Sequence, residues 1–237
     1  NVVFMVNNPS GPAVYIDALG KERVMLGFVF GAGRREGTVI RGITPKLSRL
    51  RRSGTPFGEI DGEITPRLIR LVAILNQAGF HAELSRQIVD WQATHAGPIT
   101  CLALPIMKYN LDMKALAASR SDLSLMVDAM RETLDVLQAV GYRITPGAVS
   151  VIRLIPRFLI VAILQRMLPS RLMEVGAVWH VSQAPDEMLQ LATEVEALVE
   201  QSGLPVPSLR KLLRMRAQLT QMNTDPTSDM FSRQFTV

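Results

Sequence analysis

The periodicity of apolar positions changes near residue 85. Before it, short apolar runs alternate with turn residues. Val2-Val3-Phe4-Met5-Val6 is a continuous apolar run that predicts a buried strand, ended by the turn chemistry of Asn7-Asn8-Pro9-Ser10-Gly11. Ala13–Leu19 predicts a short helix closed by Gly20, a residue that tolerates the left-handed cap conformation. Arg23–Phe30 and Thr38–Ile43 predict two strands separated by the glycine-rich run from Gly31 to Gly37, and Phe57–Ile60 is a third candidate. Thr65-Pro66 combines an N-cap hydroxyl with proline at the first helical position. It starts a helix that carries Leu68, Ile69, Val72, Ile74 and Leu75 and stops before Gly79. His81–Leu84 is the last strand candidate.

From Ser85 onward the helical period takes over. Ile88 to about Tyr109 predicts a long apolar helix, kinked or broken at Pro98 and Pro105 because proline lacks a backbone donor. Asp122–Val140 sets Leu123, Met126, Val127, Met130, Leu134, Leu137 and Val140 on one stripe, with Asp128, Arg131, Glu132, Asp135 and Gln138 opposite, and Gly141 ends it. Pro146–Leu168 is apolar almost all round and predicts a buried central helix. Asp186–Gln201 and Ser208–Leu219 complete the set, and the polar tail from Asn223 to Val237, broken by Pro226, is expected to fray. The predicted organisation is an α/β region over 1–84, an all-helical region over 85–222 and a flexible tail over 223–237, without internal repeats.

Composition narrows the class. A chain of 237 residues with 48% apolar content is too hydrophobic for disorder and long enough to bury a core without a disulfide or metal. Its single cysteine, Cys101, cannot form an internal disulfide and fits a reducing, cytoplasmic setting. The mean hydropathy of +0.19 raises a membrane question. The greasiest stretch, Phe158 to Gln165 between Arg157 and Arg166, is far shorter than the ~18–20 residues of a spanning helix, so no membrane association is expected. The chain opens on its apolar strand with neither an initiator Met nor a charged n-region, which is not a signal peptide and reads as a chain whose beginning lies upstream.

Several constellations invite chemistry. Gly31-Ala32-Gly33-Arg34-Arg35-Glu36-Gly37 suggests a dinucleotide loop, but that loop must open a helix whose amides meet the pyrophosphate. Here the run leads into a strand and its third glycine comes one position late, so it reads as a strand connection. Arg41, Lys46, Arg49, Arg51 and Arg52 form a basic stretch before Ser53-Gly54-Thr55, suited to phosphate or simply solvated. A net charge of only +5, without interleaved aromatics, argues against nucleic acid. Arg210, Lys211, Arg214 and Arg216 complement the dipole of the last helix. His81, His95 and His180 lack ligand spacing, so no metal site is expected, and His95, one turn after Trp91, reads as a packed histidine. No Gly-x-Ser-x-Gly elbow supports a hydrolase triad. Asp186-Glu187 opens a helix, where acids favour the positive dipole end without any catalytic role.

Taken in order, Asn7-Asn8-Pro9-Ser10-Gly11, Ala18-Leu19-Gly20-Lys21-Glu22-Arg23-Val24, Arg34-Arg35-Glu36-Gly37-Thr38-Val39, Ile88-Val89-Asp90-Trp91 and Gly203-Leu204-Pro205-Val206-Pro207 resemble the ketopantoate reductase (2-dehydropantoate 2-reductase) family, over residues 1 to about 212. The resemblance implies an NADP-dependent oxidoreductase of pantothenate biosynthesis that reduces a 2-keto acid to a 2-hydroxy acid. It also implies the fold: an α/β segment, the C-terminal part of a Rossmann-like NADP-binding domain, then an all-α domain resembling the 6-phosphogluconate dehydrogenase C-terminal domain. The phosphate-binding glycine loop is expected upstream of Asn1. By the same resemblance Asn7 matches an asparagine near nicotinamide and substrate, and Glu187, reached by counting back from Gly203, matches a substrate-binding glutamate. The family's catalytic lysine falls on Ala93, two residues after Trp91, and its downstream asparagines fall on Gly97 and Cys101. A lysine ammonium can polarise a keto oxygen and deliver a proton; a methyl group does neither. Lys108 lies several turns further along and is a poor substitute. The expectation is a homodimer with a small keto acid as ligand, inactive as an isolated chain, with a non-catalytic helical dimerisation or scaffold module as the alternative.

Overall fold

A computed structural model describes residues 1–28, 32–43 and 54–224. Lys46, Arg49, Arg51, Arg52 and the tail beyond Thr224 lie outside the described residues, and Arg41 lies in a strand. The α/β part is built on a four-stranded sheet in which Val2–Met5, Val24–Gly27, Thr55–Glu59 and Ala82–Leu84 lie side by side in that order. Strands β1 (Val2–Met5) and β2 (Val24–Gly27) run parallel, with Phe4 opposite Leu26. Helix α1 (Ala13–Leu19) and a 3-10 turn at Lys21–Arg23 connect them. Strand β5 (Thr55–Glu59) runs antiparallel to β2 and parallel to β6 (Ala82–Leu84), and helix α2 (Pro66–Gln77) makes the β5-to-β6 crossover. As Thr65-Pro66 predicts, the Thr65 hydroxyl caps α2 by accepting from the Leu68 amide.

Strands β2 and β5 are buried throughout, whereas β1, expected as a buried strand, is the edge of the sheet and leaves Val2 and Met5 exposed, because among the described residues only one neighbour pairs with it. Phe57, Leu68, Val72 and Ala82 form one buried cluster under α2. Val24, Leu26 and Ile88 form the other, joined by Phe4, Tyr15 and Leu19 from the β1–α1 unit. Gly27 is required at its position: a Cβ there would sit 2.5 Å from the ring of Phe57, its cross-strand partner.

From Ala32 to Glu36 the glycine-rich run is itself a strand rather than a strand connection. Residues Ala32–Glu36 form β3, paired antiparallel with β4 (Val39–Ile43), and the chain reverses at Gly37, whose φ of 59° suits a tight hairpin. The backbone of β3 lies beside the helical segment that ends at Gln183.

From Ile88 the described chain is helical. Helix α3 (Ile88–Lys108) is the axis of this part, with α5 (Arg120–Ala139), α9 (Pro185–Ser202), α10 (Pro207–Leu213) and α11 (Met215–Thr224) around it, and the short α4 (Met113–Ala118) at its end. Of the kink or break expected at Pro98 and Pro105, the break does not occur: α3 is assigned as one helix through both. Burial along most of its length, from Ala93 to Met107, holds the helix through both prolines, because packing outweighs intrinsic propensity. Ser208–Leu219, expected as one helix, is split at Arg214 into α10 and α11.

The largest departure is Pro146–Leu168. Instead of one central helix, a 3-10 helix (Gly147–Arg153) and α6 (Arg157–Met167) meet at an angle of 114° around Pro156. Ile160 and Val161 of α6 are buried, while Phe158 is 71% and Ile163 56% exposed, so α6 is peripheral. After α7 (Arg171–Met173) a π-helical turn (Glu174–Val178) leads into α8 (Trp179–Gln183). Among the described residues no single helix is long and apolar enough to cross a membrane.

Candidate active site at the strand ends

Because β1 and β2 are parallel, their carboxyl ends lie on one edge of the sheet, the edge where open α/β sheets place ligands. Asn7 and Asn8 follow β1 there. The Asn7 Nδ2 donates to Glu187 Oε1 at 2.8 Å and lies 3.4 Å from His180 Nε2. Local sequence places each partner. Pro185 starts α9 and puts Glu187 in its first turn, where the helix dipole favours a carboxylate. His180 sits in α8, just before the Ala184 corner.

A carboxylate only accepts hydrogen bonds, so the Asn7 amide nitrogen must face Glu187 and its oxygen must face away. That Oδ1 is buried and has no hydrogen-bond partner among the described residues. The neighbouring Asn8 is 5% exposed, and its Nδ2 is likewise buried without a partner. One acceptor and one donor therefore stand unsatisfied beside each other in sequence, where buried polar groups are nearly always paired. The two residues singled out by sequence, Asn7 and Glu187, are brought into contact. His180 joins them unforeseen; no local spacing announces a contact across 173 residues.

The α3 positions onto which the resemblance maps the family's lysine and asparagines face the helical core. Ala93 and Cys101 are wholly buried in the helical core. A Cβ at Gly97 would stand 2.7 Å from Thr133 Cγ2, so α5 presses directly on this stripe. Cys101 Sγ is 3.2 Å from the Thr133 hydroxyl, which donates to the Ala129 carbonyl at 2.7 Å. Burial pushes the Cys101 thiol up to about 12. Positions 93, 97 and 101 thus form a close-packed apolar seam with α5. Lys108 is engaged elsewhere, donating to Asp122 Oδ2 at 2.7 Å. Burial would raise the Asp122 carboxyl, but hydrogen bonds from Lys108 and Tyr109 outweigh it and hold it below the usual range.

Gln92, which sequence reasoning passed over, ties α3 to the same edge: its Nε2 donates to the Gly27 carbonyl at 2.9 Å and the Phe4 carbonyl at 3.4 Å. Next to it the ring of Phe28 meets Trp91 at 4.6 Å and His95 at 4.3 Å, so His95 is packed among aromatics, as expected. A cavity of about 230 Å³ opens beside Trp91 and His95, with Pro98, Leu102 and Met130 among its apolar walls.

A larger cavity, about 640 Å³, lies at the opposite end of the sheet, between Lys21, Glu59 and Arg67. Its polar groups are already paired. Glu59 Oε1 accepts from Arg67 Nε at 2.7 Å and from the Thr65 hydroxyl at 2.5 Å, and Oε2 accepts from the second Arg67 nitrogen at 2.5 Å. The hydrogen bond from Arg67 is the main reason the Glu59 carboxyl lies below the usual range. This is a structural clamp between β5 and α2. Among the described residues no group of three His, Cys, Asp or Glu could hold a metal ion.

No protein-family model matches the chain, and no curated protein matches it. Solved structures do. The 2-dehydropantoate 2-reductase from Porphyromonas gingivalis W83 superposes with a TM-score of 0.58 at 16% identity, covering 90% of this chain and 62% of that one. The 2-dehydropantoate 2-reductase from Geobacter metallireducens GS-15 gives 0.61 at 16% identity, over 92% and 68% of the two chains. D-mandelate dehydrogenase in complex with NADH gives 0.66 at 11% identity, over 93% and 70%. The chain thus spans 62% of the length of the Porphyromonas enzyme. The chain has the fold of the ketopantoate reductases, as the C-terminal part of a Rossmann-like unit followed by an all-α domain.

Proposed function

We propose that this chain carries the substrate side of a nicotinamide-dependent 2-keto acid reductase cleft, with Asn7 and Glu187 as its ligand-facing pair. The observation that carries the reading is the 2.8 Å hydrogen bond between them, which leaves the Asn7 Oδ1 buried and without a partner at the carboxyl edge of the sheet. The fold shared with 2-dehydropantoate 2-reductases and with a D-mandelate dehydrogenase solved with NADH supports a small 2-keto or 2-hydroxy acid as ligand. In this reading Asn7 also faces the nicotinamide ring of the cofactor, NADP by the family resemblance. The unsatisfied amide groups of Asn7 and Asn8 suit the polar edge of such a ring or a substrate hydroxyl.

When bound, the cofactor supplies the hydride. This chain's residues bind and orient: Glu187 holds the Asn7 amide in one rotamer, and Asn7 presents its oxygen to the ligand. Ala93 supplies no proton. The closed seam around Ala93 favours a second reading, a non-catalytic helical dimerisation or scaffold module.

Titration with ketopantoate, pantoate and D-mandelate, followed by nuclear magnetic resonance shifts of the Asn7 and Asn8 side-chain amides, tests the proposal. Binding at millimolar ligand is expected, weakened about tenfold or more by Asn7→Ala or Glu187→Ala, since a hydrogen bond to a charged group is worth ~1.5–3 kcal/mol. Absence of any shift with all three acids would leave only the scaffold reading standing.

A further inference from the structure

The cavity of about 230 Å³ beside Trp91 and His95 is formed by α3, by Met130 of α5 and by the Thr145-Pro146 corner that leads into the 3-10 helix. Trp91, Thr94, His95 and Pro98 reach it together because helical residues three, four and seven apart share a face. Its aromatic wall is fixed in place. The Trp91 and His95 rings are stacked, 8° from parallel with centroids 5.3 Å apart. Phe28, which follows β2, packs on both rings, at 4.6 Å and 4.3 Å. Pro98 contributes a rigid ring and Met130 a polarisable thioether, and no Lys, Arg, Asp or Glu is among the described lining residues.

One edge of the cavity is polar. Thr94 is 2% exposed, and its Oγ1 accepts from the Thr145 amide at 3.1 Å. Its own donation, to the Arg143 carbonyl, is stretched to 3.5 Å. Hydroxyl bonds of ordinary strength span ~2.5–3.0 Å, so the Thr94 hydroxyl is a buried donor whose proton is weakly engaged.

We propose that this cavity binds a small neutral aromatic molecule with one oxygen acceptor, its ring against Trp91 and His95 and its oxygen on the Thr94 hydroxyl. Volume limits the occupant: at the packing density of a protein interior the cavity holds roughly ten non-hydrogen atoms, one ring with a short substituent. A helix or strand of a partner protein is too large for it. Charge limits the class, because a charged ligand would lose its hydration here without gaining a counter-ion. Ring walls then favour an aromatic occupant, since ring pairs attract beyond the area they bury. Neither Asn7, Glu187 nor His180 is a described lining residue, so the inference does not depend on the ligand reading above.

Methyl resonances of isotope-labelled methionine in the 237-residue chain, with Met130 assigned through Met130→Leu, test the proposal. Acetophenone is expected to shift the Met130 methyl with a dissociation constant on the order of 0.1–1 mM, leaving the Asn7 and Asn8 side-chain amides unmoved. Cyclohexyl methyl ketone, its saturated counterpart, is expected to bind about threefold more weakly or worse, and benzoate at least about tenfold more weakly. Thr94→Val keeps the shape of the side chain and removes the donor. It is expected to weaken acetophenone about fivefold and to leave toluene unchanged, whereas a change of cavity shape would weaken both alike. Leu102→Trp, which fills the cavity from α3, is expected to abolish both shifts. No Met130 shift with any of these molecules at about 10 mM overturns the proposal. So does benzoate binding as tightly as acetophenone, or a Thr94→Val variant that loses both aromatic ligands equally. A Met130 shift that grows with protein concentration alone overturns it in favour of a side chain from a second copy.

Discussion

Glu59 shows how a single buried charge is held and what it contributes. Its side chain is 4% exposed, and both carboxylate oxygens accept from Arg67, with Thr65 adding a third bond. The Arg67 hydrogen bonds lower its pKa against the opposing effect of burial. A carboxyl depressed in the folded state stabilises the fold above its unfolded value of about 4.3 and loses that contribution as pH falls through the folded pKa. Glu59→Gln should therefore cost about 1–3 kcal/mol in denaturant unfolding at pH 7, and the gap to wild type should close in strongly acidic buffer. Equal stability of the two proteins at pH 7 would show that the clamp contributes nothing. Neither residue of this pair announces itself in sequence: Glu59 ends a strand, Arg67 sits in the first turn of a helix, and only the crossover sets one against the other. Asn7 and Glu187 could be read from the family resemblance, while His180 could not, because nothing near it in the chain points to β1.

At the scale of the element, α3 and α6 carry the same lesson in opposite directions. Both are strongly apolar; prolines suggested that α3 would kink or break, and all-round apolarity that the Pro146–Leu168 segment would lie at the centre. Packing decides otherwise: α3 is enclosed by its neighbours and stays whole, whereas Pro156 turns the chain and leaves α6 with one open face. The seam between α3 and α5 also changes what a substitution at Ala93 should do. In sequence terms Ala93→Lys restores a catalytic group. In the structure Ala93 has no exposed surface, so the new ammonium must be buried or force the helices apart. A loss of roughly 3–5 kcal/mol is expected, without any gain of reductase activity. Cys101 reports on the same seam: native protein should resist iodoacetamide at mildly alkaline pH, given a thiol pushed up to about 12, and Ala93→Lys should speed its alkylation. Unchanged stability and unchanged thiol protection in the variant would mean that position 93 opens to the cleft after all.

For the molecule as a whole, these 237 residues should not oxidise NADPH in the presence of ketopantoate, because they include neither a glycine-rich phosphate loop leading into a helix nor a lysine at position 93. Turnover above the buffer rate in an absorbance assay would refute that expectation. The sequence by itself determined the local elements: the capped start of α2, the stripe of α5, the strands β1 and β2, and the change of grammar near residue 85. Side-chain period and cap chemistry act over a few residues, so they are written in the chain. Only the tertiary structure decided that the glycine run forms a hairpin, that α3 passes through two prolines and that α6 keeps an apolar face outward. It also brought Asn7 to Glu187 across 180 residues. The reason is physical: burial, helix continuity and site assembly depend on which distant surfaces meet, and that is a property of the packed chain rather than of any window along it.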